Sequence, residues 1–134
     1  MDLSSLNWFA VLIAGLSAFL LGGIWYSPAL FSKAWMNENH LTESDLKQGN
    51  QAKIFGFSFV FSLIMAFNLA MFLAGPETDF TWGLTAGFLA GIWTFSAIAI
   101  IGLFELRSWK YIFINGGYTF LALGIMGGIL GAWR

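Results

Sequence analysis

Six polar and aromatic side chains near the ends of long apolar segments are the residues of this chain best suited to do chemistry. They are Trp25, Tyr26, Glu105, Arg107, Asn115 and Tyr118. Arg107 carries a planar fork of donors that can bind a carboxylate or a phosphate, and Glu105 is its nearest internal partner. Asn115 and Tyr118 lie three positions apart and so share one face of a helix. One interpretation is a polar pocket; the other is structural, with Glu105 paired to Arg107 and Asn115 joining neighbouring helices.

The sequence lacks the usual signals of metal, thiol or nucleotide chemistry. There is no cysteine, which excludes disulfides and thiolate metal sites. The single histidine, His40, lies near Glu38 and Glu43, and one histidine with nearby acids is too little to predict a metal site. No phosphate-binding loop or nucleophile elbow occurs. We therefore predict no catalytic residue, no metal and no cofactor, and an enzyme has no positive support beyond the six-residue cluster.

The elements that must position the six side chains are membrane spans. The chain is 58% apolar and 10% charged, against about 25% charged in a soluble domain. Four segments without Asp, Glu, Lys, Arg or His, 6–26, 54–75, 80–104 and 111–133, each reach the roughly 20 residues needed to cross a bilayer. Their apolar runs are continuous, which indicates helices and not the strands of a barrel. We predict an all-α, integral membrane four-helix bundle that forms a single domain over residues 1–134.

The polar stretch 27–53 between the first two spans carries helix signals of its own. Ser27 and Pro28 are typical of a helix start, and the apolar residues that follow predict a short amphipathic helix lying at the membrane interface. Thr42 and Asp45 have the spacing of a capping box ahead of the second long helix, which Gly49-Asn50 is expected to interrupt. A glycine and a proline at 75–76 are expected to end it.

The basic residues predict how the bundle is oriented. Five of the six lie in the connections between spans one and two and between spans three and four: Lys33, Lys47, Lys53, Arg107 and Lys110. The positive-inside rule then makes the 27–53 loop cytoplasmic and leaves both termini outside, in the inner (plasma) membrane of a bacterium. A net charge of -1 gives no basic surface, so nucleic acid is not an expected partner.

Small residues recur every four positions in each span and predict close helix packing. The glycines concerned in the last two spans are Gly83, Gly87, Gly91, Gly124, Gly127, Gly128 and Gly131. Lipid tails are as apolar as the helices themselves, so the hydrophobic effect does not drive helices together in a membrane. They associate instead through close packing at such ridges and through polar contacts. The fourth span is therefore expected to be the centre of the bundle or a homo-oligomer contact, and packing within one protomer alone is the favoured role of its glycines. Asn68 is expected to make an interhelical hydrogen bond.

Several short blocks of the sequence resemble a known family. They are Gly23-Ile24-Trp25-Tyr26-Ser27-Pro28, Lys33-Ala34-Trp35-Met36, Phe104-Glu105-Leu106-Arg107 and Ile114-Asn115-Gly116-Gly117-Tyr118. Through them the chain resembles the bacterial small membrane proteins called domain of unknown function 1761. The resemblance covers nearly the whole chain and implies a four-span membrane protein without implying an activity. It points to the six-residue polar cluster as the part to examine first.

These observations leave three functions open. The first is a homo-oligomeric channel or carrier for a small solute or ion, with the lipid bilayer and further copies of the chain as partners. The second is a lipid- or membrane-acting enzyme that uses Glu105, Arg107, Asn115 and Tyr118 around a headgroup. The third is a non-catalytic assembly subunit that binds through the fourth helix and the 28–36 segment. The uncharged spans argue against a proton-coupled exporter of the small multidrug-resistance type.

Overall fold

The computed structural model describes residues 3–134, and the secondary-structure elements in this range are helices. A short 3-10 helix, Leu3–Ser5, precedes six α-helices. They are α1 (Trp8–Trp25), α2 (Ser32–Glu38), α3 (Glu43–Lys47), α4 (Gln51–Phe72), α5 (Phe80–Phe104) and α6 (Trp109–Ala132). No strand occurs among the described residues, so the predicted all-α class is confirmed.

Four of these helices are long and apolar enough to cross a membrane. Helices α1, α4, α5 and α6 have 18, 22, 25 and 24 residues and mean hydropathies of 2.0, 2.0, 2.0 and 1.5. At a rise of 1.5 Å per residue they measure about 27 to 38 Å, close to the roughly 30 Å of a hydrocarbon core. α4 begins three residues before the predicted segment because the Asn50 side chain caps it by accepting from the Lys53 amide.

The long helices run antiparallel to their neighbours in sequence, which gives the bundle two distinct ends. At the terminal end, where α1 begins and α6 finishes, the Asn7 side chain donates to the Trp133 carbonyl at 3.3 Å. At the loop end, which holds 26–50 and 105–108, the Ser108 hydroxyl donates to the Glu38 carboxylate at 2.8 Å. The Arg107 guanidinium also donates to the Glu38 carbonyl, at 3.4 Å. The two connections at the loop end are therefore tied together.

The most extensive helix contact is between α5 and α6, and glycines allow it. A Cβ built on Gly83 would fall on the carbonyl oxygen of Gly127, and one on Gly87 would fall on that of Leu123. All seven glycines singled out above lie at this interface, where backbone or aromatic rings occupy the space that a side chain would need. The glycine ridges of the third and fourth spans are thus used for packing within one protomer.

Helix α1 joins α6 to α4 through small side chains. Ala10, Ala14 and Ala18 of α1 are buried together with Ala66 and Ala70 of α4. In contrast, α4 touches α6 only lightly and hardly touches α5. The order of packing is therefore α4, α1, α6, α5, and α4 is the least supported of the long helices.

The connection between α1 and α4 differs in one respect from its prediction. Ser27 does not start a helix; its hydroxyl donates to the Ile24 carbonyl at 2.6 Å and so closes α1, while the Phe31 amide donates to the Trp25 carbonyl at 3.0 Å. The amphipathic helix α2 consequently begins at Ser32, four residues after Pro28. Pro28 lies inside this turn.

The predicted capping box of α3 is confirmed. The Asp45 carboxylate accepts from the Thr42 amide at 2.8 Å, and the Asp45 amide donates to the Thr42 hydroxyl at 3.2 Å. The Thr42 amide, and then the Thr42 hydroxyl, lower the pKa of Asp45 by stabilising its charged form. This cap is complete above the usual pKa of an aspartate and is lost as the pH falls through the lowered value. α3 ends at Lys47, so the predicted interruption at 49–50 is also found.

The end of α4 is held by a basic side chain. The Arg134 guanidinium donates to the carbonyls of Leu73 and Gly75, each at 2.8 Å. These groups follow the last turn of α4, where carbonyls lack a partner within the helix. α4 itself ends at Phe72, three residues before the predicted glycine.

We expect Arg134→Ala to lower the free energy of unfolding by about 1 to 2 kcal/mol, because charge-assisted hydrogen bonds to otherwise unpaired carbonyls are lost. Thermal unfolding in detergent measures the change. Arg134→Lys keeps the charge without the fork and should fall between wild type and alanine. An alanine variant as stable as wild type would contradict this role.

Candidate functional site

Four of the six predicted side chains come together where α1 meets α6. The Tyr26 hydroxyl donates to the Asn115 side-chain oxygen at 2.6 Å, and the Trp25 indole N–H donates to the Ile114 carbonyl at 2.8 Å. The Tyr118 hydroxyl donates to the Ala18 carbonyl at 2.8 Å. The rings of Tyr26 and Tyr118 meet edge to face, with centroids 5.6 Å apart. These contacts fix the loop end of α1 against α6.

Glu105 and Arg107 lie elsewhere, in the turn between α5 and α6. The Arg107 Nε is 3.7 Å from the Glu105 carboxylate, and the guanidinium lies 4.8 Å from the centroid of the Tyr111 ring. With the Glu38 carbonyl, Arg107 therefore has three partners inside the chain. Asn115 lies six residues into α6, about 9 Å along its axis from Trp109. The predicted single cluster is thus two groups, because the rise of α6 separates them.

His40, the residue considered for a metal site, lies in the turn that ends α2. It has a positive φ of 55°, and its neighbour Leu41 donates its amide to the Met36 carbonyl at 2.9 Å. This is the Schellman arrangement that ends a helix, here α2. No group of three metal-ligating side chains occurs within residues 3–134.

A cavity of about 590 Å³ adjoins the tyrosines of the first group at the loop end. It lies between α1, α4 and α6 and is covered in part by the 27–50 connection. Aromatic side chains form much of its wall: Phe19, Tyr26, Trp35, Phe55, Phe61 and Tyr118. The sequence interpretation missed the contribution of α4, because small residues at intervals of four, such as Ser58 and Ser62, predict only close helix packing. Their spacing of four was the one available signal that they share a face.

The hydroxyl groups that line this cavity can accept hydrogen bonds but have no free proton to donate. Besides the two tyrosines, Ser58 donates to the Ile54 carbonyl at 2.6 Å and Ser62 to the Ser58 carbonyl at 2.9 Å. Each hydroxyl has one proton and two lone pairs, so each retains acceptor capacity. No charged residue is among the described residues that line the cavity. Its chemistry suits an uncharged ligand with an apolar body and O–H or N–H donors.

A second concavity, on the other side of α4, separates it from α5. This groove of about 410 Å³ is lined almost entirely by apolar side chains, including Ile64, Leu89 and Trp93, and by the polar Asn68. The sequence predicted an interhelical hydrogen bond for Asn68. In the structure its amide group donates instead to the Ile64 carbonyl of its own helix at 2.9 Å, because α5 is too far away to offer a partner.

These features define the class of protein: a small all-helical chain with four helices that are long and apolar enough to span a membrane. The chain belongs to the family described as Protein of unknown function (DUF1761), which it matches over residues 9–131. The resemblance predicted from the sequence is therefore confirmed. No curated protein and no solved structure matches the chain.

Proposed function

We propose that this protein is a membrane carrier for a small uncharged, amphipathic solute, and that the cavity between α1, α4 and α6 is its binding site. The observation that carries the proposal is the cavity itself, which combines about 590 Å³ of space with aromatic walls and hydroxyl acceptors. Ligand sites are typically concavities of this size, mostly apolar with a few polar groups for orientation.

The proposed orientation places the loop end of the bundle in the cytoplasm. Most of the basic residues belong to the connections at that end, as the positive-inside rule requires of cytoplasmic loops. The cavity then lies on the cytoplasmic side of a bacterial inner membrane, with both termini outside. Lys33 and Lys47, which lie in the connection that borders the cavity, are the natural positions to test this orientation by thiol labelling of introduced cysteines.

A carrier agrees better with the packing than an open channel does. Toward the terminal end the cavity is closed, because Ala14, Ala66 and Met126 pack there without any exposed surface. A solute can pass only if a helix moves, and α4 is the long helix that packs least extensively against the others. The four segments without a charged residue, 6–26, 54–75, 80–104 and 111–133, favour an uncharged solute over an ion, since an ion in hydrocarbon needs a paired charge. We further propose that the protein works as a homo-oligomer.

Solute flux into liposomes tests the carrier proposal. We expect saturable uptake of at least one labelled solute from a panel of polyols, primary amides and nucleosides, above the rate of protein-free liposomes. Analogues with every O–H and N–H donor methylated should enter more slowly through the protein and compete more weakly, because the four hydroxyl groups of the cavity offer acceptors alone. Uptake that stays at the protein-free rate for the whole panel would overturn the proposal.

A further inference from the structure

We propose that two copies of this chain associate through the groove between α4 and α5, with the Asn68 carboxamides of the two protomers hydrogen-bonded to each other. The groove is the concavity of about 410 Å³ described above. This inference concerns assembly and does not depend on transport. Its failure would leave the flux result untouched.

Asn68 is an exposed amide with unused hydrogen-bonding capacity on a candidate membrane span. A carboxamide has two N–H donors and an oxygen acceptor, and within residues 3–134 Asn68 makes the single bond to Ile64. The exposed Thr85 differs, because its hydroxyl donates its only proton to the Thr81 carbonyl at 2.8 Å. In hydrocarbon there is no water to bind the remaining N–H and oxygen of Asn68, so a partner must supply both an acceptor and a donor.

A second copy of this chain meets that requirement without any further assumption. Two asparagines related by a two-fold axis along the membrane normal lie at the same depth, and each can donate to and accept from the other. The surrounding side chains provide apolar area for the contact, and Trp93, 77% exposed, is the largest of them. The groove is also available, since neither α5 nor α6 fills it.

The glycine ridge of α6, for which a homo-oligomer contact was one of the two uses considered, is not available for this role. It is covered by α5 in the same protomer. The face of α6 that carries Gly124, Gly127 and Gly131 therefore has no surface to offer a second copy. The α4–α5 groove is the exposed alternative.

The absence of native cysteine makes crosslinking a clean test. Ile64 lines the groove one turn from Asn68 and is 47% exposed, so Ile64→Cys keeps the proposed carboxamide pair intact. We expect a short bismaleimide to link Ile64→Cys protomers into dimers in liposomes. Thr85→Cys is the matched control: Thr85 lies one turn inside α5 from the terminal end, as Asn68 does in α4, and is exposed outside the groove.

Adding Asn68→Leu to Ile64→Cys should lower the association constant of the dimer about tenfold, the effect of losing about 1.4 kcal/mol of interhelical polar contact, and the crosslinked fraction at low protein-to-lipid ratio should fall accordingly. Adding Thr85→Val should leave that fraction unchanged. Size-exclusion profiles and thermal unfolding of each variant establish that it is folded. The proposal is overturned if Ile64→Cys crosslinks no better than Thr85→Cys, or if Asn68→Leu leaves the dimer intact.

Discussion

A Gly87→Val protein is expected to fail to assemble α5 against α6. The Cβ of any residue at this position would fall on the Leu123 carbonyl oxygen and lie 3.0 Å from the Cα of Gly124. Both of these atoms belong to the backbone of a helix, so they cannot move away by a change of rotamer as a side chain can. The branched valine adds two methyl groups to the same space. We expect the free energy of unfolding to fall by about 3 kcal/mol or more, the range of severe overpacking.

Gly56→Val is the matched control for this prediction. Gly56 lies on an exposed face of α4, and no described atom is within 4 Å of a Cβ built there. The variant should therefore keep the stability of wild type, or gain slightly from reduced chain entropy. Thermal unfolding in detergent and the monodisperse fraction after purification provide the measurement. Equal behaviour of the two variants would refute the assignment of Gly87 to a backbone contact.

A Gly23→Phe protein is expected to lose solute flux while it keeps its fold. Gly23 lines the cavity between α1, α4 and α6, and no described atom lies within 4 Å of a Cβ at this position. A phenyl ring can therefore enter the cavity without a backbone clash and occupy the space that the proposed solute needs. We expect flux at the protein-free rate and a thermal unfolding midpoint like that of wild type.

The control for this loss of flux is Gly56→Phe, which places the same ring on α4 outside the cavity lining. It should transport as wild type does. If Gly23→Phe transports normally, the solute does not pass through this cavity. If both phenylalanine variants lose flux, the loss comes from hindered movement of the helices and not from occlusion of the cavity. That result would also contradict the assignment of the cavity as the solute path.

The six residues of the predicted polar cluster form two groups with different partners in the structure. Trp25, Tyr26 and Asn115 fasten α1 to α6 beside the cavity, and Tyr26 also supplies part of the cavity wall. Glu105 and Arg107 instead belong to the turn that is tied to α2 through Glu38. The first group therefore has a structural role beside the cavity, whereas Arg107 makes one hydrogen bond, to the Glu38 carbonyl, and an ion pair with Glu105.

Local features of the fold could be predicted from the sequence because they depend on residues close together along it. Uncharged runs of sufficient length identify the four candidate spans. The capping box of Thr42 and Asp45 and the break before Gln51 follow from neighbours within one turn. The turn at Ser27 was missed because serine before proline is typical of a helix start, whereas here the serine hydroxyl closes the preceding helix.

The candidate site could not be predicted from the sequence, because the composition of these helices does not show which face of each helix is buried. A soluble helix shows by its apolar stripe which face is buried, but these helices are apolar around their whole circumference. The sequence therefore indicates that Ser58, Ser62 and Asn68 lie on α4 without indicating which neighbour each one faces. Packing decides that question: the backbone contact of α5 with α6 turns their glycines toward each other and leaves α4 supported by α1. This arrangement opens a cavity beside Ser62 on one side of α4 and exposes Asn68 on the other.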